Sequence, residues 1–147
     1  MTAVRRSWFH GPKPVVAYVD AAGCVRLGVT IFSADQVSTF PIHIPGRLIQ
    51  SECDIFDMEM RACLFEMCIA AELFPNRCAL LRCDNRGATG TLVRGACWPT
   101  ISLGICAAFW ALAASRMIPV WIEEVPGKLN PADPLPGIAP FANSLFV

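Results

Sequence analysis

Charge is what this sequence is short of. Only 16% of its 147 residues are Asp, Glu, Lys or Arg, and the 12 basic residues balance the 12 acidic ones. A protein that holds nucleic acid by wrapping it in a basic surface needs a surplus of Lys and Arg, so unaided, non-specific binding of that kind is disfavoured. A local basic patch stays open. Histidine is scarce too, with His10 and His43 the only two. None of the eight cysteines forms a Cys-x-x-Cys pair and neither histidine lies near a cysteine pair, which excludes the usual zinc spacings. Cys24, Cys53, Cys63, Cys68, Cys78, Cys83, Cys97 and Cys106 fall in apolar runs and read as small buried hydrophobes of a reducing compartment, with no thiol chemistry assigned.

A membrane span is also missing. The dry part of residues 101–122, from Leu103 to Ala114, is twelve residues long, and Arg116 and Pro119 follow at once. A bilayer span needs roughly 20. At the N-terminus, Arg5 and Arg6 precede Trp8, His10, Gly11 and Pro12 with no apolar stretch of the kind a secretory signal carries. The expectation is an intracellular, non-secreted protein with no membrane partner, cytoplasmic or nuclear in a ribonucleoprotein, or inside a viral particle.

What the chain does have is apolar material. It is 54% hydrophobic with a mean hydropathy of +0.48, which excludes disorder. Its length suits one domain that buries roughly 70% of the surface its unfolded chain exposes. There are no internal repeats or linkers. Residues 14–20 (PVVAYVD) are β-branched and read as a strand buried on both faces. Residues 24–33 and 37–44 follow after short turns, so the three strands form an antiparallel meander. Residues 55–74 are helical in period, with Met58, Ala62, Phe65, Ile69 and Leu73 on one stripe, and Pro75-Asn76 stops them.

The second half alternates. Residues 77–84 are a strand and 85–94 a polar helix weakened by Gly87 and Gly90. An apolar helix over 101–117 precedes a fifth strand over 118–125. Asn130 then starts a short final helix with Pro131 at its first position. The order βββαβααβ predicts an α/β fold with a five-stranded mixed sheet, three antiparallel strands then two parallel ones, and helices on its faces. The domain covers residues 14–136, with an N-terminal extension over 1–13 and an irregular tail over 137–147.

Acids are few, so their placement carries information. Asp20 closes the first strand and Asp84 the fourth. If those strands are parallel neighbours, their ends lie about 5 Å apart and the carboxylates converge. Converging acids repel and shift each other's pKa unless a cation lies between them. Mg²⁺ suits such a place, because it takes hard oxygen ligands and needs few of them from protein. Glu59, in the first turns of the long helix, and Asp133, at the start of the final one, can reach the same cluster. Singly, each acid also fits a plainer role as a turn former, a helix cap or a solvated residue. Jointly they favour a site.

Four stretches carry a family resemblance: Tyr18-Val-Asp20-Ala, Met58-Glu59-Met-Arg-Ala62, Cys83-Asp84-Asn85-Arg-Gly-Ala88 and Val125-Pro-Gly-Lys-Leu-Asn130-Pro-Ala-Asp133. Over about residues 14–136 the chain resembles the ribonuclease H domains attached to reverse transcriptases of retroelements and hepadnavirus-type viruses. The last two stretches are the specific ones. The resemblance implies a ribonuclease H-like fold and an enzyme that hydrolyses the RNA strand of an RNA/DNA hybrid, leaving 5′-phosphate products. It implies two Mg²⁺ ions, with Mn²⁺ as a substitute, held by Asp20, Glu59, Asp84 and Asp133. Asp20 would bridge both ions, Glu59 and Asp84 would serve the leaving-group side, and Asp133 the water side.

It also implies two partners, the RNA/DNA hybrid and an adjoining reverse transcriptase domain. By position, Asn85, Arg86 and Gly87 are candidates for contacts to the hybrid's 2′-hydroxyls. The chain departs from the family pattern in having Ala22 where Ser or Thr is common, a longer segment over 43–57, no histidine between Pro126 and Asp133, and no basic protrusion between the second and third helices. The competing reading is an inactive scaffold of the same fold, which has no need of four acids at these places. Integrase-type nucleases place their glutamate after the second Asp, and proofreading exonucleases want Asp-x-Glu where this chain has Asp20-Ala-Ala. If a neighbouring domain supplies the binding track for the hybrid, the low charge is accounted for, and part of the apolar content is expected on the surface.

Overall fold

The β-branched run after Pro14 becomes the middle of the sheet. In the computed structural model, which describes residues 13–22, 26–34, 36–45, 55–96 and 100–132, this run is β1 (Val15–Ala22), with Val15, Ala17 and Val19 wholly buried on one face. β2 (Arg26–Ser33) and β3 (Gln36–His43) continue it as an antiparallel meander. β4 (Ala79–Cys83) pairs with β1 in parallel, and β5 (Val120–Glu124) pairs with β4 in parallel. The sheet order is β3-β2-β1-β4-β5. The mixed sheet expected from the sequence is therefore present.

Its details differ in one instructive way. β1 does not stop at Asp20. Ala21 and Ala22 go on pairing with Leu27 and Arg26 of β2, so the hairpin is two residues longer than the turn-like Ala-Ala-Gly suggests. On the β4 side the ladder ends earlier, at Val19 opposite Cys83. Asp20 is thus interior to one pairing and terminal to the other.

The long helix α1 (Ile55–Leu73) covers β1, β2 and β4 on one face of the sheet. Met58 and Ala62 are buried as expected, beside Glu59, Cys63, Glu66 and Ala70, whereas Phe65 and Leu73, expected inside, are exposed. The helix is apolar nearly all round, so its period did not single out a face, and α3 claims a second side of it.

α2 (Arg86–Arg94) begins at Asn85, whose Oδ1 accepts the Ala88 N–H at 3.0 Å. It ends at Gly95, left-handed at φ 69°, whose N–H reaches the Thr91 carbonyl. These are the side-chain cap and the glycine stop that helix ends require. α3 (Thr100–Ser115) runs alongside α1 in the same direction: Ser102 donates to Asp57 at one end and Arg116 pairs with Glu72 at 2.8 Å at the other. α3 carries no charge. Ser102, Cys106, Phe109 and Ala113 are buried at helical spacing, while Ile101 and Leu103 stay 46% and 43% exposed. No described helix is long and apolar enough to cross a membrane.

On the sheet face away from α1, Tyr18, Arg82 and Glu123 are register neighbours across β1, β4 and β5. Arg82 Nη1 donates to Tyr18 Oη at 2.6 Å and Nε to Glu123 Oε2 at 3.1 Å, which ties the parallel strands together. Of the cysteines described, Cys63, Cys83 and Cys106 are buried as expected, but Cys68 is exposed and Cys78 half-buried, because they fall on the outer side of α1 and just ahead of β4. Cys24, Cys53 and Cys97 lie outside the described residues. So do all of the expected N-terminal extension except Lys13, and the tail over 137–147.

After β5, Val125 N donates to the Cys83 carbonyl at 3.0 Å, and a single 3-10 turn, Gly127–Leu129, leads to Asn130. Asn130 Oδ1 accepts the Ala132 N–H at 3.1 Å, the bond a helix cap makes to the second helical residue. The expected final helix beyond Ala132 falls outside the described residues.

Candidate active site

The parallel register decides the geometry. Because Val19 pairs with Cys83, the next residues on the two strands are Asp20 and Asp84, side by side where β1 and β4 part. Asp20 is 8% exposed and Asp84 half-buried. From above, α1 delivers Glu59, 4% exposed, into the same space. Its Oε1 accepts the Ala21 N–H at 3.2 Å, one residue past Asp20, and its Oε2 accepts the Cys83 S–H at 3.6 Å, one residue before Asp84. One carboxylate is therefore pinned to both strands.

This crowding has an electrostatic signature. The Glu59 pKa is pushed up to about 7, first by burial and then by the negative charges of Asp20 and Asp84, and the two hydrogen bonds offset only part of that. A carboxylate so placed is relieved either by a proton or by a cation. The donor atoms of Glu59, Cys83 and Asp84 lie within 4.8 Å of one another, a separation that a single ion can bridge.

Two glycines let the chain close around these acids. A Cβ on Gly127 would stand 2.8 Å from Asp84 Oδ2, so the 3-10 turn after β5 lies directly against that carboxylate. A Cβ on Gly28 would stand 2.5 Å from the Ala132 carbonyl oxygen. Gly28 is the register partner of Asp20, so Ala132 comes down beside Asp20. Asn130, 5% exposed, holds this segment by donating Nδ2–H to the Val19 carbonyl at 2.7 Å. Asp133, the residue after Ala132, lies outside the described residues.

No family model and no curated protein matches this sequence. Solved structures do resemble its fold. The N-terminal RNase H domain of a Mycobacterium tuberculosis protein, solved as a fusion with maltose-binding protein, aligns at a TM-score of 0.61 and 20% identity, covering 80% of this chain and 85% of that one. RNase H1 of the halophilic archaeon Halobacterium salinarum aligns at 0.61 and 18%, covering 82% and 91%. The fold is that of ribonuclease H. LC11-RNase H1, in complex with an RNA/DNA hybrid, aligns at 0.60 and 15%, covering 80% and 88%. At these identities the likeness concerns the ribonuclease H fold, and the chemistry has to be argued from this chain's own residues.

Of the seven positions singled out in the sequence, Asp20, Glu59 and Asp84 come together in this ribonuclease H fold. Asn85 is the cap of α2. Arg86 projects into solvent, its side chain 90% exposed and 3.9 Å from Glu124. Gly87 packs the first turn of α2 against α1: a Cβ there would stand 3.3 Å from the Phe56 ring. The sequence reading missed four residues. Cys83 reads in the sequence as an inert hydrophobe, and Asn130 as a helix cap within the fourth family stretch, with no sign of its bond to β1. Gly28 carried the one usable signal, because a glycine inside a strand marks close backbone approach, whereas Pro126-Gly127 reads only as a turn.

Proposed function

We propose that this chain is a metal-dependent endoribonuclease that hydrolyses the RNA strand of an RNA/DNA hybrid, and that it serves as the ribonuclease H domain of a reverse transcriptase. The observation that carries the enzymatic reading is the pinning of Glu59 between the strand positions that bear Asp20 and Asp84. A scaffold has no reason to bury a carboxylate at 4% exposure against two others. The donor set fits Mg²⁺, being oxygen-rich, strongly anionic and open at half-buried Asp84. Asp20, Glu59 and Asp84 would hold the ions, with Asp133 as the fourth ligand from the segment that begins at Asn130.

Ions held by these residues would supply an activated water and neutralise the charge that develops on the leaving 3′ oxygen. The protein's own part is placement. β1 and β4 fix two carboxylates on the sheet. α1 fixes the third, and the hydrogen bond from the Asn130 side chain to β1 brings the last segment over Asp20. Arg86, exposed at the start of α2, and Asn85 and Gly87 beside it stand where a hybrid backbone approaching Asp84 would pass. The reverse transcriptase context rests on the Asn-Pro-Ala-Asp stretch ending at Asp133 and on the apolar surface of α3.

The test is a hybrid-cleavage assay with end analysis. The protein should cut only the RNA strand of an RNA/DNA hybrid, leave 5′-phosphates, stop in chelator and resume with Mg²⁺ or Mn²⁺. Asp20→Asn, Asp84→Asn and Asp133→Asn should each lower the rate by roughly 10³-fold or more, the scale of losing a charge-stabilising group in an active site. Cleavage that survives chelator or all three substitutions would count against the assignment.

A further inference from the structure

The thiol at the base of the acidic cluster has contacts that packing alone does not require. The Cys83 side chain is wholly buried, donates its S–H to Glu59 Oε2 at 3.6 Å and accepts the Asn85 backbone N–H at 3.4 Å. It stands between Glu59 and the residue that caps α2, immediately before Asp84. Glu59 has one other hydrogen bond among those described, from the Ala21 backbone N–H at 3.2 Å. One oxygen is thus held by main chain and the other by a side chain, so only the second restraint can be removed by substitution. A carboxylate freed at one oxygen turns about its last torsion and no longer presents both oxygens beside Asp84. Groups that orient a metal ligand in this way are worth 10–100-fold in metal affinity.

We propose that Cys83 is a positioning residue for cation binding, its S–H holding the plane of the Glu59 carboxylate so that Glu59 and Asp84 bind one ion together. This rests on the reading of Glu59 as a cation ligand. The thiol acts as a hydrogen-bond donor, and a serine hydroxyl donates in the same direction.

Mn²⁺ is the probe, its free concentration followed by electron paramagnetic resonance. Cys83→Ala should weaken Mn²⁺ binding about tenfold, and Cys83→Ser should restore most of it. Cys106→Ala is the matched control: that thiol is 1% exposed but directed at the Thr91 carbonyl, 3.8 Å away, so its loss leaves a similar cavity and should leave Mn²⁺ affinity unchanged. Equal affinity in wild type and Cys83→Ala, or a Cys83→Ser as weak as the alanine variant, would overturn the proposal.

A second arm needs no metal. The Cys83 S–H stretching band, identified by its loss in Cys83→Ala, should shift in Glu59→Gln because its acceptor changes from a carboxylate to an amide. A band that stays in place would also overturn the proposal. A wild type that binds no Mn²⁺ would count against Glu59 as a ligand, and the infrared arm would still decide whether Cys83 holds it.

Discussion

Glu66 is the residue with the least reason to be where it is. It lies two turns along α1 from Glu59, is wholly buried, and neither carboxyl oxygen has a hydrogen-bond partner among the described residues. Burial pushes its pKa up to about 8, so it is mostly protonated at neutral pH. The folded state then holds a proton that the unfolded chain gives up near pH 4.5, and stability is full below that pH and falls as pH rises toward 8. At about 1.4 kcal/mol per pH unit the loss between pH 5 and 8 reaches roughly 4 kcal/mol. Glu66→Met fills the same space without a charge. Denaturant titration in chelator should show the variant gaining on the wild type as pH rises, with the gap smallest near pH 5. A gap that does not change with pH would contradict the assignment.

Glu59 titrates in the same range but answers to metal. With its pKa raised to about 7 in the metal-free protein, a proton competes with the cation, so Mg²⁺ affinity should climb about tenfold per pH unit below 7 and level off above it. Calorimetric titration between pH 5.5 and 8 measures this. The two glutamates also mark what was legible at this scale. Asp20, Glu59 and Asp84 stood out because acids are rare and fall at element ends. Glu66 and Cys83 did not, since sequence does not distinguish a buried, unpartnered acid from a solvated one, or a thiol that donates from one that only packs. The hydrogen bond from the Asn130 side chain to the Val19 carbonyl spans 111 positions, beyond any local pattern.

Elements meet at the two glycines, and there a single methyl group separates stability from chemistry. In Gly127→Ala the new Cβ meets the Asp84 side chain, 2.8 Å away, which can swing aside. Thermal stability should hold within about 1 kcal/mol while metal affinity and cleavage fall together. In Gly28→Ala the new Cβ meets the main-chain oxygen of Ala132 at 2.5 Å, which cannot move without dislodging the segment that leads to Asp133. A stability loss of about 1–3 kcal/mol should accompany the loss of activity. A melting curve and a metal titration on each variant distinguish the two.

The order and pairing of the strands were legible from β-branched runs and short turns. The position of β1's end was not, because Ala21 and Ala22 look like a turn and pair as a strand. The buried side of α1 was hidden for a related reason. With Ala, Cys and Met spread round the helix, the period of its large apolar residues does not report which side meets the sheet.

For the whole molecule, a balanced charge count and an uncharged α3 with Ile101 and Leu103 on its surface point the same way. Among the described residues, Arg86 and Lys128 are exposed cations within two residues of Asp84 or of the glycine packed on it. With about two phosphates neutralised, hybrid affinity should fall with salt at a log–log slope near −2, far shallower than for a basic nucleic-acid protein. Replacing Ile101 and Leu103 with lysine should raise the isolated chain's solubility without lowering its rate of cleavage, if that face belongs to a neighbouring domain. Ultracentrifugation and the cleavage assay check both halves.

The most direct measurement of the central claim is the single-turnover cleavage rate of a labelled RNA/DNA hybrid in Mg²⁺ by wild type and by Glu59→Gln, which keeps the side chain's shape and removes its charge. The wild type should cut the RNA strand, and the variant should be slower by roughly 10³-fold or more while melting at or above the wild-type temperature, because the crowded charge is gone. Equal rates in the two proteins would contradict the account.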